Sequence, residues 1–97
     1  MVRMIKKVLI IANLHKTEAA ELIKEIKQYM STRGIETEVF GFKGKPKIPS
    51  IEDIDFVFSL GGDGTVLFSS RIVESRGIPI LAVNLGAFGF ITEISQH

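Results

Sequence analysis

No cysteine occurs among the 97 residues. That excludes disulfides, thiolate catalysis and zinc–thiolate sites together, and it is neutral about redox compartment. An excess of one charge is also missing. Lys and Arg number 12 and Asp and Glu 11, a formal net charge of +1. Such a balance leaves no strong field to hold nucleic acid or an anionic membrane non-specifically. The histidines, His15 and His97, stand too far apart in the sequence to read as a ligand pair, so no metal site is expected from them. A long hydrophobic run is absent too. Lys6 and Lys7 precede an apolar stretch, as in a signal peptide, but the stretch lasts only from Val8 to Ala12 before Asn13 and His15 break it. A signal segment needs about 7–15 apolar residues and a membrane span about 20. The expectation is a soluble, cytoplasmic protein with neither membrane nor nucleic-acid partners.

Hydrophobic residues make up 45% of the chain and charged residues 24%, the composition of a folded domain and not of a disordered one. A chain this short buries roughly two-thirds of its unfolded surface, enough for one core.

The run from Lys7 to Ala12 is continuously aliphatic, as suits a strand buried on both faces of a parallel sheet. After a polar loop, Asn13 to Lys16, Thr17 is a candidate N-cap, with Glu18 and Glu21 in or near the first turn. Ala19, Leu22, Ile23, Ile26, Tyr29 and Met30 recur at helical spacing as one apolar stripe. Gly34 is a candidate left-handed terminator of that helix. Glu36 to Phe40 predicts a second strand, completing a βαβ unit. Gly41 to Ser50 carries two glycines, two prolines and three lysines and reads as a solvated loop. Asp55 to Leu60 predicts a third strand. A second helix is expected from about Thr65 to Arg76, burying Val66, Leu67, Ile72 and Val73 and capped by Gly77. Pro79 to Val83 predicts a fourth strand.

This alternation implies an α/β fold: a Rossmann-like or flavodoxin-like parallel sheet of about four strands with flanking helices. Right-handed crossovers favour the strand order two, one, three, four. Winding then reverses between strands one and three, and ligands bind outside the carboxyl ends of strands at such a point. The loops gathered there are Asn13 to Lys16 and Gly61 to Thr65, with Asn84 to Phe90 beside them.

Gly61-Gly62-Asp63-Gly64-Thr65 is the most informative stretch. Three glycines around one aspartate, between a strand and a helix, permit close backbone approach to a ligand, and the helix amides that follow favour an anion. It is not a Walker loop, because no Gly-Lys-Ser/Thr follows. It is not the dinucleotide fingerprint, because Leu67 stands at the third glycine position. Asp63 has two readings. One is a helix N-cap. The other is a carboxylate aimed into a cleft, able to accept a hydroxyl proton or to meet a metal-bound phosphate. Thr65 can bond a phosphate or simply start the helix.

Gly61 to Thr65, followed by Asn84-Leu85-Gly86-Ala87-Phe88-Gly89-Phe90-Ile91-Thr92, resembles the N-terminal domain of NAD kinases. The opening strand, the Asn13 loop and Thr17-Glu18-Ala19 resemble the family's start, so the likeness covers nearly the whole chain. The first motif is shared with diacylglycerol and sphingosine kinases; the second narrows the match. The resemblance implies phosphoryl transfer from ATP, or polyphosphate, to the 2′-hydroxyl of the adenosine ribose of NAD, with Mg²⁺ accompanying the ATP. It implies Asp63 as the proton acceptor. Substrate contacts fall on Gly61, Gly62, Asp63, Gly64, Thr65, Leu67, Gly89 and Phe90, with Leu67 and Phe90 walling the adenine side. The family's Gly-Arg-Leu-Gly-Phe reads Gly86-Ala87-Phe88-Gly89-Phe90 here, without the arginine. The family also continues into a β-rich second domain with an Asn-Glu pair and a Gly-Ser-Thr-type motif, neither of which precedes His97. Residues 1–97 are thus expected to be the first domain of a two-domain, homo-oligomeric kinase, inactive in isolation.

Two alternatives stay open. A lipid kinase would share the first motif, but Val66-Leu67-Phe68 follows here where an Asn-Glu-Val-like segment is expected. A non-catalytic flavodoxin-like module would use the glycines for the turn alone.

Overall fold

A computed structural model describes residues 4–43, 51–74 and 76–85 of the chain. The aliphatic run becomes strand β1, Lys7–Asn13, whose Val8, Leu9, Ile10, Ile11 and Ala12 are all buried. Burial of both faces explains why no polar residue interrupts it. Helix α1, Thr17–Thr32, follows. Strand β2 is Glu36–Phe42, β3 is Phe56–Gly61, helix α2 is Asp63–Val73 and β4 is Ile80–Asn84. The four strands form one parallel sheet in the order β2-β1-β3-β4, as the crossover argument expects.

The helices cover opposite faces. Leu9, Ile11, Ile54, Val57 and Val73 form one core layer, with Phe40, Phe68 and Ile72 packed against it. Ile10, Ala12, Ala19 and Leu60 form the other, under Leu22, Ile23 and Ile26 of α1. Alternate residues of β1 therefore feed alternate layers, as the period of a strand requires. Gly34 (φ 70°) sits in the left-handed region just past the C-cap of α1, the termination anticipated for it; Gly77 (φ 64°) shares that conformation but does not cap α2, whose C-cap is Glu74.

Beyond one-residue shifts at strand ends, five details differ from the sequence reading. Strand β2 continues through Gly41 and Phe42, which the sequence assigns to a loop, because both pair in register with the end of β1. Lys16, not Thr17, occupies the N-cap of α1, in extended backbone and without a side-chain cap bond. Thr17 is the first helical residue, and its hydroxyl bonds Glu18. Tyr29 is exposed, not in the apolar stripe; the Arg33 guanidinium lies 4.0 Å over its ring. The second helix begins two residues earlier and ends three earlier than expected. Val73 is buried as expected, but the rest of the buried face differs. Thr65, Ser69 and Val73 point into the sheet, whereas Val66 and Ile72 are half-buried and Leu67 is 55% exposed. The cause is a hydroxyl chain. Ser69 Oγ donates to the Thr65 carbonyl at 2.8 Å and is hydrogen-bonded to Ser59 Oγ of β3 at 3.0 Å. With their polar atoms paired, these small residues can be buried and bring α2 close to the strand.

Candidate functional site at the carboxyl edge of the sheet

The winding reverses between β1 and β3, so the loops after those strands meet. Asn13 ends β1. Its Oδ1 accepts from the His15 amide at 2.9 Å, and its carbonyl accepts from the Lys16 amide at 3.2 Å. That local turn fixes the approach to α1. On the far side, β3 runs into α2 through Gly61 and Gly62. The Leu85 amide, just past β4, donates to the Gly61 carbonyl at 2.8 Å, which ties the chain at the end of β4 to the same edge.

The glycines of this turn serve different ends. A methyl group on Gly61 would overlap Thr65 Oγ1 and would lie 2.9 Å from Thr65 Cβ and 3.2 Å from Asn13 Cβ. Gly61 and the buried Thr65 thus hold α2 against β1 and β3. Gly62 is the N-cap of α2, with φ −119° and ψ −161°, an extended conformation open to any residue. Neither Gly62 nor Gly64 has a positive φ, and a Cβ at either would meet nothing within 4 Å.

Asp63 is the first helical residue, not the N-cap, and is exposed. Its carboxylate has no hydrogen-bond partner among the described residues. The capping reading of Asp63 is therefore excluded in this geometry, although a negative charge at the start of a helix remains favourable. Leu67 lies one turn further along on the same helix face.

A cleft of about 360 Å³ opens at this edge, lined by Asn13, Lys16, Phe42, Gly62, Gly64, Thr65 and Phe68. Phe42 and Phe68 meet edge to face at 5.9 Å, and Phe40 stacks on Phe68 at 6.1 Å. Asp63 and Leu67 lie outside this lining. Gly89 and Phe90 fall outside the described residues. Among the described residues no group of three or more His, Cys, Asp and Glu is placed to hold a metal. Lys16, Phe42 and Phe68 were not singled out as site residues from the sequence. Their signal is the parallel register, which sets Phe42 beside Asn13 at the sheet's carboxyl end.

A larger hollow, about 480 Å³, lies at the opposite end of the sheet, where Lys6, Lys7 and Arg76 mix with Glu36, Asp53 and Asp55. Several of its charged groups are already engaged. The Asp55 carboxylate accepts from the Lys6 and Lys7 amides at 2.8 and 3.0 Å. Lys7 Nζ pairs with Glu38 at 3.3 Å and Glu36 at 3.6 Å, and the hydrogen bond to Glu38 holds its ammonium above the ordinary lysine pKa. Strand amino ends are not where such sheets bind ligands, so the carboxyl-edge cleft is the candidate site.

No described helix is long and apolar enough to cross a membrane. Residues 45–97 match the model of the ATP-NAD kinase N-terminal domain. The chain is 46% identical over 90 residues to an NAD kinase of Treponema denticola, an alignment covering 92% of this chain and 32% of that protein. It is 39% identical over 101 residues to an NAD kinase of Geobacter sp. (93% and 35%). Against a bifunctional NADP phosphatase/NAD kinase of Methanococcus maripaludis it is 32% identical over 97 residues (90% and 17%). It spans about a third of the length of the curated NAD kinases it matches. With more than half its residues inside the matched domain, including the whole Gly61 to Thr65 turn, the chain belongs to the ATP-NAD kinase N-terminal domain family.

Proposed function

We propose that this domain supplies the proton-accepting half of an NAD kinase active site. A single observation carries the reading. Gly62 and Gly64 flank Asp63, yet neither the backbone conformation nor any neighbour requires glycine at either position. Their missing side chains leave room for something that is not part of this fold, directly beside an exposed carboxylate without a partner among the described residues.

In the proposed reaction the 2′-oxygen of the adenosine ribose of NAD attacks the γ-phosphorus of ATP. The bond from that phosphorus to the bridging oxygen breaks, ADP leaves, and the hydroxyl proton passes to the Asp63 carboxylate. A sugar hydroxyl is a weak nucleophile at neutral pH, and a positioned base contributes about 10²–10⁴-fold. Gly62 and Gly64 admit the substrates to the backbone, and Leu67 offers an exposed apolar contact beside Asp63. Gly61 and Thr65 position the turn from below. Gly89 and Phe90 complete the set in this proposal, on the segment after β4. Magnesium is usually held by one or two carboxylates together with substrate phosphates. With Asp63 assigned as the base and no carboxylate cluster among the described residues, an ion here would arrive on ATP and would neutralise phosphate charge. The reading carries with it a cytoplasmic, homo-oligomeric enzyme whose second domain completes the site.

The test is NADP formation from NAD and Mg·ATP by the longest native chain that carries this domain, with polyphosphate as donor in a parallel arm. Turnover in the usual kinase range, about 1–100 s⁻¹, is expected. Residues 1–97 in isolation should give none, since phosphoryl transfer depends on positioning by the whole site. Phosphorylation of diacylglycerol or sphingosine in place of NAD would overturn the assignment.

A further inference from the structure

We propose that Lys16 holds the phosphate chain of the phosphoryl donor in the cleft beside the first turn of α2. The inference rests on the phosphoryl-transfer reading above and deepens it.

The turn presents two faces. Gly62, Gly64, Thr65 and Phe68 line the carboxyl-edge cleft together with Asn13, Lys16 and Phe42. Asp63 and Leu67 are exposed outside that lining. An in-line displacement needs the attacking and leaving oxygens on opposite sides of phosphorus, so with the base outside the lining of the cleft the leaving phosphates run away from it, into the cleft.

Lys16 is the charged residue among the described lining of this cleft. It is half-buried at the N-cap of α1, and no ion pair engages it among the described residues. The nearest acid in sequence, Glu18, is instead bonded by the Thr17 hydroxyl at 3.4 Å. The contrast is with Lys7, whose ammonium is shared by two glutamates. A half-buried lysine packs its stem and keeps its ammonium in water, and an ammonium beside open glycine backbone is a ready phosphate partner. The wall of Phe42 and Phe68 gives the same cleft an apolar surface. A nucleoside triphosphate and an inorganic polyphosphate both present the phosphate chain that Lys16 takes, and the experiment separates them.

Lys16→Met keeps most of the side-chain length and removes the charge; Lys16→Arg keeps the charge. In the longest native chain carrying this domain, Lys16→Met should raise KM for Mg·ATP by about tenfold or more, the loss expected for one charge-assisted hydrogen bond. KM for NAD should stay within about twofold, below the scale of one lost hydrogen bond, and Lys16→Arg should restore most of the loss. Calorimetric titration with inorganic tripolyphosphate reads the same site without turnover. Its affinity should fall by a similar factor in Lys16→Met if the phosphate chain suffices. A fall for ATP but not for tripolyphosphate assigns the site to the nucleotide donor. An unchanged KM for ATP, or a rise confined to NAD, would overturn the inference while leaving NADP formation, and so the function, intact. Tripolyphosphate binding that depends on Lys16 in a protein that makes no NADP would do the reverse.

Discussion

Gly61 and Gly62 are neighbours that lack side chains for opposite reasons. Gly61 is packed out: any Cβ would collide with the Thr65 side chain. Gly62 faces open space in an ordinary extended conformation. Substitution by alanine separates the two. Gly61→Ala should destabilise the domain by about 1–3 kcal/mol, the usual range for forcing a methyl into a packed site. For a domain of this size each kcal/mol moves the thermal midpoint by roughly 4–8 °C. Gly62→Ala should stay within about 0.5 kcal/mol of wild type, as for other surface positions, yet lower turnover by obstructing the substrates. Thermal unfolding of both variants checks this. A Gly62→Ala midpoint as low as that of Gly61→Ala would mean that the fold itself requires both glycines. Sequence reasoning could see that the turn was rich in glycine. It could not see which glycine was packed and which was open, because that depends on where Thr65 and Asn13 come to lie.

At the scale of elements, α2 departs furthest from its sequence pattern. Counting apolar residues places Val66 and Leu67 inward. The helix instead buries Thr65, Ser69 and Val73, spaced four apart, and leaves Leu67 exposed. Hydroxyls count as polar in any hydropathy pattern, but here they are satisfied internally by Ser59 and by the Thr65 carbonyl. Ser69→Ala strands the buried Ser59 hydroxyl and should cost about 1–3 kcal/mol. Replacing Ser59 and Ser69 together by alanine should cost less than the sum of the single changes, since no unpaired hydroxyl remains. A double-mutant cycle by chemical denaturation measures that coupling; strict additivity would show that the pair carries no joint stabilisation. By contrast β1 was fully legible. A run of five aliphatic residues has few other places in a small α/β domain than the sheet centre, and all five are buried there. The helix end at Gly34 was legible for an equally local reason, the positive φ that glycine tolerates.

For the whole molecule, the strand order followed from alternation and crossover handedness, and the site's location followed from the strand order. What the sequence concealed was the cleft's composition. Phe42 reaches it because β2 runs two residues past the expected Phe40 and pairs in register with Asn13. Lys16 reaches it because it, not Thr17, caps α1. Both are consequences of register and helix start, which are set by tertiary packing. The central claim is that Asp63 acts chemically and does not serve the turn. Because Gly62 already occupies the N-cap and the Asp63 carboxylate is exposed, Asp63→Asn forfeits at most a helix-dipole interaction of about 0.3–1 kcal/mol. The most direct measurement is turnover and thermal midpoint of Asp63→Asn in the longest native chain carrying the domain. The account predicts a midpoint within a few degrees of wild type, about 2–4 °C at most for a loss of 1 kcal/mol in a chain of that length, and turnover reduced by about 10²-fold or more. A variant equally stable and still turning over near the wild-type rate would contradict it.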